Sequence, residues 1–222
     1  MSILVKVLRF IGSFLLIPAC VAATAGFYNG ILAIKSISGP AFIFLLGALA
    51  YSSLHLFLFK LDFLYVIGHE LLHAAATLVS GGKVRGIKVS SREGSVQTTT
   101  PNFFVILAPY LIPGYTVFVA LLYFLLSFFI DVSRSTGLFI FLLGFTLMFH
   151  LAYTAQSMRE KQSDLIKTGY LFSISFIYIA NLVIVFSIIS FLFKEARFFD
   201  FLSFSYERAK EFYYSFWRQL FL

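Results

Sequence analysis

The chain has 222 residues, of which 60% are hydrophobic and only 12% charged, and its formal net charge is +7. One soluble core of this length cannot bury that much apolar surface, so the composition excludes an ordinary soluble domain and indicates a membrane protein, with the lipid bilayer as its partner. The basic residues lie beside apolar segments, where they set topology and meet anionic head groups, so we do not expect nucleic-acid binding.

The apolar segments predict an all-α polytopic fold with about six transmembrane helices. Each segment is long enough to cross roughly 30 Å of hydrocarbon. The segments cover residues 8–28, 38–59, 61–80, 103–130, 136–156 and 170–193. The first lacks a small-residue cleavage site and is expected to be retained, and Pro109 and Pro113 predict a kink or a re-entrant piece in the fourth. Cys20 is the only cysteine, so neither a disulfide nor a Cys-rich metal site is expected.

Two stretches differ from these apolar segments. Residues 81–102 are rich in Gly, Ser, Thr and Val, and they predict a membrane-associated β-hairpin with strands at 83–90 and 94–100. Residues 194–222 mix aromatic and charged side chains, which is typical of an amphipathic helix at the membrane interface. We therefore expect one transmembrane domain, 1–193, followed by an interfacial tail.

The basic residues predict an orientation. The most basic short loop is the hairpin, with Lys83, Arg85, Lys88 and Arg92. Short cytoplasmic loops are enriched in Lys and Arg, so we expect the hairpin on the cytoplasmic side, in the cell membrane. The segment 157–169 then shares that side, with Lys60 and Arg134 on the opposite side. Lys6 and Arg9 favour the reverse orientation.

The third segment carries the motif His69-Glu70-Leu71-Leu72-His73. His residues at i and i+4 of a helix project from one face about one turn apart, as two ligands of a zinc ion do. Glu70 is then placed to take a proton from the attacking water rather than to bind the metal. The alternative is that two His and one Glu occur together in this helix by chance. However, burying ionisable groups in hydrocarbon costs free energy, so three of them in one segment indicate a function.

A catalytic zinc needs a third protein ligand from elsewhere in the chain. Asp164, just before the sixth segment, is the leading candidate, and Glu160 lies one helical turn earlier. His150 and, more distantly, His55 are nitrogen alternatives. Without a metal, Asp164 would be a helix N-cap or a solvated loop carboxylate, and His150 would form an interhelical hydrogen bond.

The motif helix and the segment after it resemble the site-2 protease family of intramembrane zinc metalloproteases. The similarity covers roughly residues 61–170 and is carried by HELLHAAATLVSGGKVRGIKV and GSVQTTTPN. It implies a metal-binding helix, a membrane-associated hairpin and a later Asp at the start of another helix, which Asp164 matches. The better-known branch has this Asp in a Leu-Asp-Gly context preceded by Asn and Pro. Here the context is Ser-Asp-Leu and there is no PDZ-like insertion, so the chain resembles a divergent branch.

These features together predict a zinc metalloendopeptidase that hydrolyses a membrane-anchored, transmembrane protein substrate. Zinc held by His69, His73 and Asp164 would activate water, with Glu70 as the base. An unwound stretch of the substrate helix could add to an edge strand of the hairpin. The oxyanion would be stabilised by the metal and by a hydrogen-bond donor. The candidates are His150, Asn102 and Asn181, and the sequence does not choose between them.

Two other functions compete with proteolysis. A non-catalytic metal-binding scaffold, or an inactive homologue that holds transmembrane partners, would keep the metal ligands without turnover, but the intact Glu70 favours the enzyme. A metal or small-solute transporter would distribute ionisable residues along several helices. Here they cluster on one helix, which disfavours a transporter.

Overall fold

The computed structural model describes residues 3–90 and 93–221, and in these residues the protein is mostly helical with one two-stranded sheet. The helices are α1 (Ile3–Leu32), α2 (Gly39–Ser53), α3 (Asp62–Val79), α4 (Phe103–Leu111), α5 (Gly114–Leu126), α6 (Thr136–Glu160), α7 (Ser163–Thr168), α8 (Tyr170–Leu192) and α9 (Phe198–Phe221). A π-helical stretch, Leu54–Leu58, extends α2, and a short 3-10 helix, Ser133–Ser135, precedes α6. The strands are β1 (Val84–Val89) and β2 (Gly94–Thr98).

Four of the described helices are long and apolar enough to cross a membrane: Val7–Leu32, Gly39–Leu58, Ser133–Glu160 and Tyr170–Leu192. The pair α4 and α5 is a fifth candidate, bent by 72° at its break. The break falls at Ile112 and Pro113, as the proline pattern predicted. The predicted third crossing forms α3, but α3 is not among the candidates, since its buried His69 and Glu70 interrupt the apolar run.

The chain divides into two compact units, residues 1–41 with 166–222 and residues 42–165. In the first unit, α1 and α8 run side by side in the same direction. The Arg9 guanidinium donates to the Lys167 carbonyl at 3.2 Å, and fifteen residues further along α1 the hydroxyls of Thr24 and Tyr178 are 2.8 Å apart.

Helix α9, the predicted tail, belongs to this same unit and packs antiparallel to α1. Phe201 and Ser205 lie against Gly26, where a Cβ would come within 2.1 Å of the Ser205 hydroxyl oxygen. Twelve residues beyond Phe201, the Tyr213 hydroxyl donates to the Leu15 carbonyl. The helical conformation of the tail agrees with the sequence, whereas its packing along α1 was not predicted. Its interfacial position stays a prediction.

In the second unit, α2 and α6 cross at two glycines. A Cβ on Gly47 would lie 2.0 Å from the Phe141 carbonyl oxygen, and one on Gly144 would lie 2.0 Å from the Phe44 carbonyl oxygen. Only glycine lets two helix backbones approach this closely. Both positions therefore require glycine to keep the crossing.

The contacts beyond this crossing show that α2 and α6 run in the same direction. Moving along both helices, the rings of Tyr51 and Phe149 pack at 5.4 Å, and those of His55 and Tyr153 at 5.4 Å. Further on, the ammonium of Lys60 donates to the side-chain carbonyl of Gln156 at 3.1 Å. The C-terminal ends of the two helices therefore lie together.

This parallel arrangement corrects one sequence prediction. Lys60 was expected on the opposite side from residues 157–169, because every apolar segment was counted as a full crossing. In the structure Lys60 lies at the C-terminal end of α6, next to that segment. Helix α5 runs antiparallel to α6, with Tyr123 stacked on Phe139 at 4.0 Å and the Tyr115 ring 5.3 Å from that of Phe149.

The predicted hairpin is present as an antiparallel pair, β1 with β2. Its register pairs Val84 with Thr98 and Val89 with Gly94, with a bulge between Val84 and Gly86. The two strands are shorter than the predicted ranges, and the predicted turn residues Ser91 and Arg92 lie outside the described residues. The Thr77 hydroxyl oxygen lies 2.9 Å from that of Thr98, so the hairpin is fixed alongside α3.

Candidate metal centre

Helix α3 supplies the two histidines of the motif. One turn separates His69 from His73, and their Nε2 atoms are 3.1 Å apart. His69 is 9% exposed, and the side chain of His73 is 13% exposed. The i, i+4 spacing thus brings both imidazoles to one face of α3, as the sequence predicted.

The orientation of His73 is set by helix α4. The Nδ1–H of His73 donates to the backbone carbonyl of Val105 at 2.8 Å, because a carbonyl can only accept. This tautomer leaves Nε2 with a free lone pair that points to His69. A ligating histidine usually has its second ring nitrogen fixed in this way.

Asp164 reaches the histidines through a chain reversal at the end of α6. Lys161 adopts the left-handed conformation, with φ 53° and ψ 52°. The Gln162 N–H then donates to the Ser157 carbonyl at 3.3 Å, which closes the helix end. Two residues later the first turn of α7 presents Asp164.

The three predicted ligands converge on one point. Asp164 Oδ2 lies 3.3 Å from His73 Nε2 and 3.7 Å from His69 Nε2. One donor atom from each of the three residues lies within 4.8 Å of the other two. This is the group of His, Cys, Asp and Glu side chains, among the described residues, whose geometry could hold a metal ion.

These distances fit a tetrahedral zinc site. Zinc bonds of about 2.0–2.2 Å to nitrogen and oxygen place neighbouring ligand atoms about 3.3 Å apart, close to the three separations found here. The lone pairs of two imidazoles and a carboxylate repel one another at such distances unless a proton or a metal cation lies between them. The donor set of two nitrogens and one oxygen is also one that catalytic zinc uses. The residues therefore fit the metal that the motif implies.

Glu70 is buried beside this group, with 6% of its surface exposed. It lines a cavity of about 380 Å³ together with His69 and Asp164. Gly94, the first residue of β2, also lines this cavity. The Glu70 carboxylate thus faces the same polar cavity as His69 and Asp164, where a base must lie to reach a water molecule.

Three tyrosines that the sequence analysis did not single out hold the elements of the site together. The Tyr110 hydroxyl donates to the Gln162 side chain at 2.5 Å, two residues before Asp164. The other two act between α3 and α6: the Tyr65 hydroxyl is 2.7 Å from that of Ser157, and the Tyr153 hydroxyl donates to Asp62 at 2.9 Å. A tyrosine in an apolar segment usually forms a hydrogen bond through its hydroxyl, but the sequence does not show with which residue.

The remaining candidates lie outside the metal-ligand group. Glu160 lines the polar cavity and accepts a hydrogen bond from Gln156 at 2.8 Å. His150 is buried and lines a different, apolar cavity. His55 shares a hydrogen bond of 2.9 Å with Tyr51. These three side chains are therefore not brought to the converging atoms of His69, His73 and Asp164.

The two asparagines proposed as oxyanion donors have other roles in the structure. The side-chain carbonyl of Asn102 accepts from the Val105 N–H at 2.8 Å and caps the start of α4. Asn181 belongs to the other unit, where its side-chain amide donates to the Ile177 carbonyl at 2.9 Å.

Comparison with known proteins gives no match for this chain, either among protein-family models, among curated proteins or among solved structures. The resemblance to site-2 proteases therefore rests on the motif and on the segments around it.

Proposed function

We propose that the chain is an intramembrane zinc metallopeptidase that hydrolyses peptide bonds of membrane-anchored proteins. The observation that carries this proposal is the convergence of His69, His73 and Asp164 beside the buried carboxylate of Glu70. A binding site alone would need the three ligands but not a fourth, non-ligating carboxylate in the same cavity. The additional carboxylate supports a hydrolase over a metal-binding scaffold.

The side chains divide the chemistry between them. His69, His73 and Asp164 would hold the cation, and the hydrogen bond from His73 to Val105 keeps its ring oriented. A bound zinc ion supplies the Lewis acidity that activates water and polarises a peptide carbonyl. Glu70 accepts a proton from the attacking water and returns it to the leaving amine.

The hairpin offers a place for the substrate backbone. A transmembrane helix hides its carbonyls in internal hydrogen bonds, so it must unwind before hydrolysis. Because β2 begins at Gly94 beside Glu70, an unwound stretch that pairs with an edge of the hairpin would pass the catalytic carboxylate.

We also propose five membrane crossings, by α1, α2, the bent pair α4 and α5, α6 and α8, with α3 re-entering towards its starting side. Five crossings place Arg9, Lys60 and Lys161 on one side and Arg134 on the other. By the distribution of basic residues, the first side is cytoplasmic. The cell membrane is the expected location. In this topology Arg9 lies on the same side as Lys161, whereas with six crossings these two residues lie on opposite sides.

A paired measurement of metal and turnover tests the enzyme. Purified wild type should carry about one zinc per chain and should cleave a single-span reporter protein in proteoliposomes. Glu70→Gln should keep the zinc and lose about 10²–10⁴-fold in rate, because the amide cannot accept the proton. Cleavage by Glu70→Gln at the wild-type rate would remove Glu70 from the mechanism. Equal zinc in wild type and the double variant H69A/H73A would remove the metal.

A further inference from the structure

A second cavity, of about 410 Å³, lies on the other side of the motif helix between α3, the break of α4 and α5, and α6. Its walls are mainly apolar, formed by side chains such as Leu71, Leu72, Phe118 and Phe149. Its size lies within the range of about 300–1,000 Å³ found for small-molecule and substrate pockets. The cavity is lined only by residues of the second unit.

This apolar cavity adjoins the metal centre directly. His69 and Tyr65 line both the polar cavity and the apolar one, so the ring of a predicted metal ligand forms part of the wall between them. A group in the apolar cavity would therefore lie next to a peptide bond positioned at the metal ligands.

The cavity also opens sideways, between α3 and α5. Leu71 and Phe118 line it and are 54% and 61% exposed, and Ala75 on the same edge is exposed as well. An opening with apolar edges admits apolar groups from a bilayer and offers little to charged ones. The polar cavity, in contrast, is lined by Asp62, Glu70 and Glu160.

We infer that the apolar cavity is a specificity pocket for a large apolar side chain of the substrate, at a residue flanking the scissile bond. The inference rests on the proposed function. The polar cavity takes the peptide backbone and water, and the apolar cavity takes the neighbouring side chain through the lateral opening. A lipid chain could fill the same volume, but the shared wall at His69 places the cavity where a substrate side chain must lie.

A substrate series combined with one pocket-filling substitution tests this inference. The cleavage position in a single-span peptide is located by mass spectrometry, and each flanking residue is changed in turn to Ala, Leu, Phe or Asp. At one flanking position, wild type should prefer Leu or Phe over Ala and Asp by at least about tenfold in kcat/KM. Ala75→Phe, which fills the cavity from an exposed helix position, should abolish that preference.

Two variants serve as matched controls. Leu78→Phe adds the same ring at an exposed position of α3 that does not line the cavity, and it should keep the wild-type preference. Ala75→Ser changes polarity with little change of volume and should also keep it. Zinc content should be equal in all four proteins.

Binding separates a failure of the pocket from a failure of the enzyme. In a Glu70→Gln background, which is designed not to turn over, the Phe peptide should bind at least about tenfold more tightly than the Ala peptide, and Ala75→Phe should remove the difference. Loss of cleavage in wild type with this binding difference intact would refute the enzyme and keep the pocket. Equal binding, or a preference that Ala75→Phe leaves in place, would overturn the pocket. If Ala75→Phe displaces a copurified lipid but leaves peptide binding and cleavage preference unchanged, the cavity holds an acyl chain. This result would also overturn the inferred specificity pocket.

Discussion

Gly94 lies directly against the side chain of Glu70: a Cβ at residue 94 would come within 2.5 Å of Glu70 Cγ and 2.6 Å of its Oε1. The hairpin therefore does more than follow the motif helix in sequence. Gly94, the first residue of β2, limits the space that the Glu70 carboxylate occupies. The absence of a side chain at residue 94 is a requirement of the site, since a larger residue would have to displace the carboxylate.

This contact gives a prediction for Gly94→Ala. The added methyl group should turn the Glu70 side chain away from the polar cavity and lower the rate of peptide hydrolysis by at least about tenfold, while zinc stays bound to the other three residues. Gly86→Ala in the opposite strand is the control, because a Cβ there meets nothing within 4 Å. Equal rates for both variants, measured at equal zinc content, would show that the contact does not position Glu70.

The third ligand is tested by comparing three substitutions. Asp164→Asn should weaken zinc binding strongly, because it removes an anionic oxygen that lies 3.3 Å from His73 Nε2. Glu160→Gln and His150→Ala should leave the zinc bound, since neither side chain reaches the converging donor atoms. The measurement is zinc affinity by competition with a chelator. Loss of zinc in His150→Ala, with retention in Asp164→Asn, would move the ligand to α6.

We expect Tyr110 to position Asp164 through Gln162, and the loss of its hydroxyl has a distinct expected effect. Tyr110→Phe deletes the hydrogen bond to Gln162 while keeping the ring that packs 5.1 Å from His69. Zinc affinity should fall by about 10–100-fold, as when outer partners of metal ligands are lost, and excess zinc should restore the rate. Tyr123→Phe, on the far side of the same unit, should leave zinc affinity unchanged. A rate that zinc does not restore would mean that Tyr110 acts on the substrate instead.

The local part of the site could be predicted because it depends only on helix geometry. A spacing of four residues brings His69 and His73 together in any α-helix, and Glu70 follows from the same motif. Asp164 could be proposed because few ionisable residues exist in so apolar a chain. The structure brings it to the histidines, and its role as a ligand stays a prediction.

The supporting contacts could not be predicted for two physical reasons. The turn that delivers Asp164 depends on Lys161 in the left-handed conformation, which the sequence does not indicate, since glycine or asparagine is usual there. Tyr110 and Gln162 are 52 residues apart, and nothing in hydropathy or spacing pairs two polar side chains across that distance.

The number of crossings could not be settled from the sequence, because hydropathy cannot distinguish a full span from a re-entrant helix. Helix α3 has 18 residues and is about 27 Å long, nearly enough to cross. However, the Tyr115 hydroxyl at the start of α5 donates to the Leu64 carbonyl near the start of α3 at 2.6 Å. A Cβ on Gly114, the first residue of α5, would lie 3.1 Å from the Leu72 side chain. The chain thus returns beside the first half of α3 before α5 departs, which supports the proposed re-entry of α3.

Cysteine labelling distinguishes the two topologies. With six crossings, residue 60 and residue 161 lie on opposite sides of the membrane. With α2 and α6 parallel, as the contact between Lys60 and Gln156 requires, they lie on the same side. Cys20 is first replaced by Ala to give a background without cysteine, and single cysteines then replace Lys60, Lys161 or Arg134.

In intact cells and in inverted vesicles, an impermeant maleimide should label residues 60 and 161 from one side and residue 134 from the other. Position 134 precedes α6, so it marks the opposite end of that helix and controls for reagent that leaks through the membrane. Labelling of 60 together with 134, with 161 alone on the other side, would restore the six-crossing topology. It would also mean that α3 crosses fully, contrary to the five-crossing topology, so this one experiment decides between five and six crossings.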